Sequence, residues 1–519
     1  MIRLFQTILG WVTVRSGRIL GVGWAMLLSP SIALALTLTA SKEGVIADGQ
    51  TNNAAAIQAM IDKAAAAGGG RVILDGGTVV SGMITLKSNI TLEVAEGATL
   101  MNTGVKEDYP YVPVDVLIYY PERRTMVYAQ NAENVAILGE GTIDGKSSAY
   151  KARSSESARV SLIRLDGCKG VEVRDLTLQN ASMWTQHFFL CDGVEVTGLT
   201  IKNYMKNDDG LNIDGSRNVL VDNCDITSHD DAITLKNTSH APSENITVTN
   251  SRLNSVKSAF KFGTESYSGF INVTARNLEI IGGRDAIALY SSDGAKIENV
   301  LIEDVTITDS SCPISVILGN RLRKISGDTR ELAIGSAKNI TIRNVNATGS
   351  KWALMLVGSE DRSIEGVSLE NIDVTFAAEP GGKKNSPRAS RKVGENTQDY
   401  PQSRMFRTLN AWGLFARHAN DITLKDVRFT GVSKSKAHMA YFENVDGLIL
   451  ENVEISAPET TPSWIQANGL SNAQLDINWP ASMTWLEFVG QASEGIVAYG
   501  DASQAQIINT PETLEIESK

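Results

Sequence analysis

Asp208-Asp209-Gly210-Leu211-Asn212-Ile213 is followed 22 residues later by Asp230-Asp231-Ala232-Ile233-Thr234-Leu235. The same pattern returns as Lys257-Ser258-Ala259-Phe260-Lys261-Phe262 and Arg284-Asp285-Ala286-Ile287-Ala288-Leu289. In each copy the fourth and sixth residues are apolar, the alternation of a short strand with one buried face. Leu211, Ile213, Ile233, Leu235, Phe260, Phe262, Ile287 and Leu289 are therefore expected inside, with Asn212, Thr234 and Lys261 facing out. Asp209, Asp231, Ser258 and Asp285 then form one ladder, beside a second of Asp208, Asp230, Lys257 and Arg284. Crowded carboxylates cannot all ionise easily, so they separate into acids and bases. Two solvated acidic turns are the plainer alternative.

A second strand repeats with the same period. A small residue or Asn precedes an alternating run whose first apolar residue is Val135, Val171, Val194, Val219, Ile246, Val273, Val300, Ile340, Val367, Ile422, Leu448 and Ala473. The central steps are 23, 25, 27, 27 and 27 residues. A period in the twenties with no helix per unit predicts an all-β solenoid of parallel strands. Asn53 to Ala64 reads as a single helix, ended by Gly68-Gly69-Gly70, and its place before the first strands suits a cap over the open end of the core. Two longer steps mark insertions near 318–336 and 376–408, the first carrying Asn320-Arg321-Leu322-Arg323-Lys324, the second Lys383, Lys384, Arg388, Arg391, Lys392 and Arg404 with Tyr400, although the stretch 381–393 also reads as a solvated loop. Loops on a rigid coil commonly build its binding site. The tail beyond Asn472 reads as a loosely repetitive cap.

Residues 1–40 differ from the rest. Arg3, Arg15 and Arg18 precede the apolar run from Ile19 to Ala40, the pattern of a signal peptide or an N-terminal anchor, with cleavage expected at Ala33-Leu34-Ala35 or Ala40. Residues 41–519 are expected to form one domain, exported to the periplasm or beyond, and monomeric. Apart from that possible anchor, no stretch predicts contact with a membrane. A net charge of −11 opposes nucleic-acid binding. Four cysteines suggest no disulfide framework, and none has metal-site spacing; Cys168 and Cys191 align as neighbouring thiols. No metal or cofactor is called for.

Further motifs sharpen the reading: Gly139-Glu140-Gly141-Thr142-Ile143-Asp144-Gly145 after Asn134-Val135, Trp184-Thr185-Gln186-His187, Asn207-Asp208-Asp209 and His229-Asp230-Asp231. In this order the chain, over roughly residues 44 to 455, resembles glycoside hydrolase family 28, the polygalacturonase family of right-handed parallel β-helices. The resemblance implies an inverting hydrolase of a pectin-like polysaccharide. Asp230 would be the general acid, with Asp209 and Asp231 activating water, and a carboxyl separation of roughly 6.5–9.5 Å would be expected. Asp208 and His187 are further substrate-binding candidates. Trp184, Trp352 and Trp412 are either sugar platforms or buried corners.

The chain departs from the family at two places. Lys257-Ser258-Ala259 replaces Gly-His-Gly, and Ala288-Leu289-Tyr290 replaces the Arg-Ile-Lys that holds a substrate carboxylate. Neither Ala nor Tyr supplies that charge. Lys257, Lys261 and Arg284 are the candidates to restore it, with Tyr290 as a further substrate contact. Two other classes stay open: a polysaccharide lyase in which the acids gather Ca²⁺, and a glycan-binding protein without turnover.

Overall fold

The computed structural model describes residues 36–112, 123–151, 158–325, 327–377, 387–431, 435–456, 460–479 and 483–518. Among them, 36 strands join in one sheet, and the strand-to-strand pairings are parallel throughout. The result is a parallel β-helix, each turn stacked on the last.

The register explains why the periodicity could be counted. Val135, Val171, Val194, Val219, Ile246, Val273, Val300, Ile340, Val367, Ile422, Leu448 and Ala473 lie side by side in one unbroken ladder. All twelve are buried in the main core. The ladder runs on through Ile496 and Leu514, so the tail adds turns to the coil. Asn245, Asn272, Asn299 and Asn339 precede their ladder residues in the left-handed conformation, which Asn tolerates better than most side chains. Each donates its side-chain amide to the Asn one turn earlier, within 3.0–3.3 Å.

The helix spans Ala54–Ala66 and presses Ile57, Met60, Ile61 and Ala64 onto the core. One boundary is corrected. Leu36–Thr39 is already a strand of the coil, paired with Gly70–Leu74, so the solenoid begins before residue 41. Cleavage after Ala40 would remove that strand, whereas cleavage after Ala35 would spare it. Residues 1–35 of the expected signal or anchor segment lie outside the described residues. The four cysteines are buried and free. Cys168 and Cys191 sit one turn apart, and the Cys191 thiol donates to the Leu165 carbonyl.

Both insertions lie where the long steps placed them, between the strands Cys312–Leu318 and Ser336–Ser350 and between Ile364–Phe376 and Ala411–Thr430. The described part of the second forms a separate apolar cluster outside the coil. Val393, Met405, Phe406 and Leu409 pack on outward residues of successive turns, among them Ala288, Tyr290, Met355 and Phe415. Trp352 belongs to this cluster and Trp412 to the main core, which settles both as buried corners.

Candidate active site

The ladder of strands Leu211–Asp214, Ile233–Asn237 and Ser258–Ser266 turns its apolar residues inward and carries the acids at its entrance. Gly210 permits this close stacking, since a Cβ there would meet the Ala232 carbonyl oxygen and Ile226 at 2.6 Å. One ligand-capable oxygen from each of Asp209, Asp230 and Asp231 lies within 4.8 Å of the others. These three line a cavity of about 170 Å³ with Trp184, Asn207, Lys236, Lys261, Thr264, Glu265, Arg323 and Tyr400.

This spacing is shorter than the carboxyl separation expected for inversion. The cause is the register, which makes Asp209 and Asp231 neighbours on adjacent turns rather than groups facing each other across a groove. Oxygens within 4.8 Å of one another still let one water donate to two carboxyl groups at about 2.8 Å each.

Each carboxyl has different surroundings. Asp231 accepts from Lys261 Nζ at 2.7 Å and from the Ser258 amide at 3.0 Å. Burial alone would push it up, but Lys261 and Lys236 outweigh burial and hold it below the usual carboxylate range. Asp230 is half-buried and accepts from the Asn207 amide at 3.2 Å. Burial, reinforced by the charge of Asp231, pushes it up. Burial, reinforced by the charges of Asp230 and Asp231, drives Asp209 well up against the pull of Lys236, which lies 3.5 Å away and also pairs with Glu265 at 3.2 Å. The site thus keeps one carboxylate ionised and favours protons on its two neighbours.

Several expected substrate contacts prove to be framework. Asp208 is fully buried; its carboxylate accepts from the amides of Met205, His229 and Asp230, at 2.7 to 2.9 Å. It clamps the two acidic turns together, and burial pushes it up to about 7. His187 is buried, with Nε2 3.0 Å from Asp214 and its ring edge-on to Trp184. Tyr290 is buried beneath the second insertion, its hydroxyl 2.7 Å from Ser315. Arg284 pairs with Asp285 at 2.7 Å and does not line the cavity. Lys257 also stands outside the lining, where its charge steadies Asp230 in the ionised form. Of the cations proposed to restore the missing charge, Lys261 alone is in the cavity wall, and it is committed to Asp231.

Trp184 borders the cavity but has Arg123 and Lys236 against its ring, 4.9 and 4.7 Å from the centroid. Cations rather than a sugar occupy its surroundings. Lys236 and Glu265 were not foreseen as wall residues. Lys236 could have been found by continuing the outward alternation from Thr234, whereas Glu265 follows a register shift after Leu235. Arg323 and Tyr400 come from the first and second insertions.

Outward positions run Arg164, His187, Asn212, Thr234, Lys261 and then Ala288, where polar residues give way to the apolar plug of the second insertion. Ala288 and Tyr290, which replace the family's carboxylate-binding pair, lie in that plug.

Comparison with known proteins agrees with this architecture. Residues 80–391 match the family described as Glycosyl hydrolases family 28. The chain is 23% identical over 363 residues to a probable polygalacturonase of Vitis vinifera, covering 64% of this chain and 73% of that one. It is 25% identical over 268 residues to polygalacturonase-2 of Solanum lycopersicum, covering 49% and 58%. The family 28 exopolygalacturonase of Yersinia enterocolitica superposes with a TM-score of 0.63 at 20% identity, covering 79% and 78%. The match spans more than half of the sequence, and the chain belongs to glycoside hydrolase family 28.

Proposed function

We propose that the protein is an exported, inverting hydrolase that removes units from the end of a pectin-like polysaccharide, with a galacturonoside as the first candidate substrate. The observation that carries this reading is the contrast inside the triad. Asp231 is pinned as a carboxylate by Lys261, while Asp230 is pushed toward the protonated form. Asp230 then protonates the departing glycosidic oxygen, and Asp231 takes a proton from the attacking water. Asp209 orients that water, with Lys236 steadying the charge that develops. The similarity to polygalacturonases supports the substrate class.

The apolar cluster that the second insertion packs over Ala288 supports attack at a chain end, since it stands in the path of a polymer laid along the outward positions. A lyase would need a neutral base beside the sugar. Lys261 is unsuited, because Asp231 overcomes its burial and holds it strongly protonated.

The test is a panel of polygalacturonate, rhamnogalacturonan and neutral or sulfated galactans, assayed for new reducing ends, with Asp230→Asn as control. Reducing ends that appear with the wild type and vanish in the variant support the reading. An unsaturated product absorbing in the near ultraviolet, or glycan binding without turnover, would overturn it.

A further inference from the structure

A continuous chain of buried and half-buried charges leaves the catalytic triad and ends in the first insertion. Asp209 lies 3.5 Å from Lys236, Lys236 lies 3.2 Å from Glu265, and Glu265 lies 3.4 Å from Arg323. Arg323 continues to Asp293 at 3.0 Å, and Asp293 pairs with Arg321 at 2.6 Å. Asp293 is fully buried and also accepts from the Arg323 backbone amide, so both arginines of the insertion are tied to one carboxylate. Arg321 further donates to the Thr264 carbonyl beside Glu265, which fixes the insertion to the strand that carries the hub.

Glu265 occupies the middle of this chain. It is 3% exposed and lies in the cavity wall. The groups around it are Lys236 from the neighbouring turn, Lys261 and Thr264 on its own strand, and Arg323 from the insertion. The triad facing Lys236 consists of Asp209, Asp230 and Asp231, with Lys261 and Arg284 behind Asp231. Trp184 covers Lys236 and holds Arg123 nearby, while Tyr400 lies 5.7 Å from Lys261.

We propose that Glu265 is a positioning residue for the hydrolysis: it fixes Lys236 against Asp209 and Arg323 in the cleft wall, tying the catalytic carboxyls to the first insertion. The inference rests on the hydrolase reading above. Its physical content is a division of charge. Lys236 lies between two acids, so Glu265 limits how far Lys236 can stabilise Asp209 as a carboxylate. The Arg323 charge in turn offsets that of Glu265. The insertion thereby acts on the acid and base without touching them.

Opposite charge changes should therefore move the pH dependence in opposite directions. The limbs of kcat/KM report groups of the free enzyme. Glu265→Gln removes a negative charge, favours ionised carboxyls and should shift both limbs to lower pH by about one unit. Arg323→Gln removes a positive charge and should shift them to higher pH by a similar amount. Glu265→Asp keeps the charge but shortens the reach, so its limbs should stay at the wild-type position while kcat falls about tenfold.

Arg323 stands on the insertion rather than in the core, so its variant decides the matter if Glu265→Gln does not fold. Unmoved limbs in the folded variants, or shifts of the same sign in both, would overturn the inference while leaving the hydrolase reading intact. A wild-type protein that hydrolyses no glycan of the panel would remove that reading, and this inference with it.

Discussion

Lys261 Nζ lies 2.7 Å from Asp231 Oδ2, and both side chains are almost completely buried. This pair sets the asymmetry of the site, since Asp231 is the one member of the triad held below the usual carboxylate range. Removing the ammonium as Lys261→Met should raise Asp231, so the acid limb of the rate profile moves to higher pH. The variant should also lose about 3 kcal/mol of stability, because the buried carboxylate is left without its principal partner. A pH profile together with urea denaturation checks both effects.

Separate roles for Asp230 and Asp231 imply different dependence on the leaving group. Asp230→Asn should lose about a thousandfold on the natural polymer and much less on an aryl glycoside whose leaving group needs no proton. Asp231→Asn should be equally impaired on both. Equal losses for both variants on both substrates would contradict the assignment of acid and base.

Asp208 predicts a pH effect on stability rather than on substrate affinity. Burial pushes it up to about 7, above the ordinary value of 3.8. The folded state therefore binds the extra proton between those values. Its contribution is fully present below about pH 3.8 and is lost as pH rises through about 7. In Asp208→Asn, thermal unfolding should depend less steeply on pH across that window. Asp208→Ala, which leaves three backbone amides without their acceptor, should cost about 3 kcal/mol in total.

The apolar plug predicts how products appear. Reducing ends should rise while the viscosity of a polymeric substrate stays nearly constant. Phe406→Ala, which removes a buried ring between the insertion and the coil, should weaken that packing by about 3 kcal/mol. Viscosity should then fall faster for each bond cleaved.

The fold was legible because one physical rule generates it. Alternation fixes which residues enter the core, so Val171, Val194 and Val219 could be placed side by side before their register was known. Asp209 and Asp231 were legible for the same reason. The framework role of Asp208 is hidden because it precedes the strand Leu211–Asp214, where alternation does not say which way a side chain points. His187 and Tyr290 do face out of the main core, but neighbouring residues and the second insertion bury them. The sequence period cannot show such covering layers. Glu265 was hidden by the register shift after Leu235, and the tight triad spacing by the stacking of adjacent turns.

The most direct measurement is the anomeric configuration of the first product, followed by proton NMR before mutarotation equilibrates it. A water activated by Asp231 and held between it and Asp209 attacks the sugar directly, so the first product should have inverted configuration. A first product of retained configuration would mean that one of these closely spaced carboxylates attacks the sugar itself, and it would contradict the assignment of Asp231 as the base.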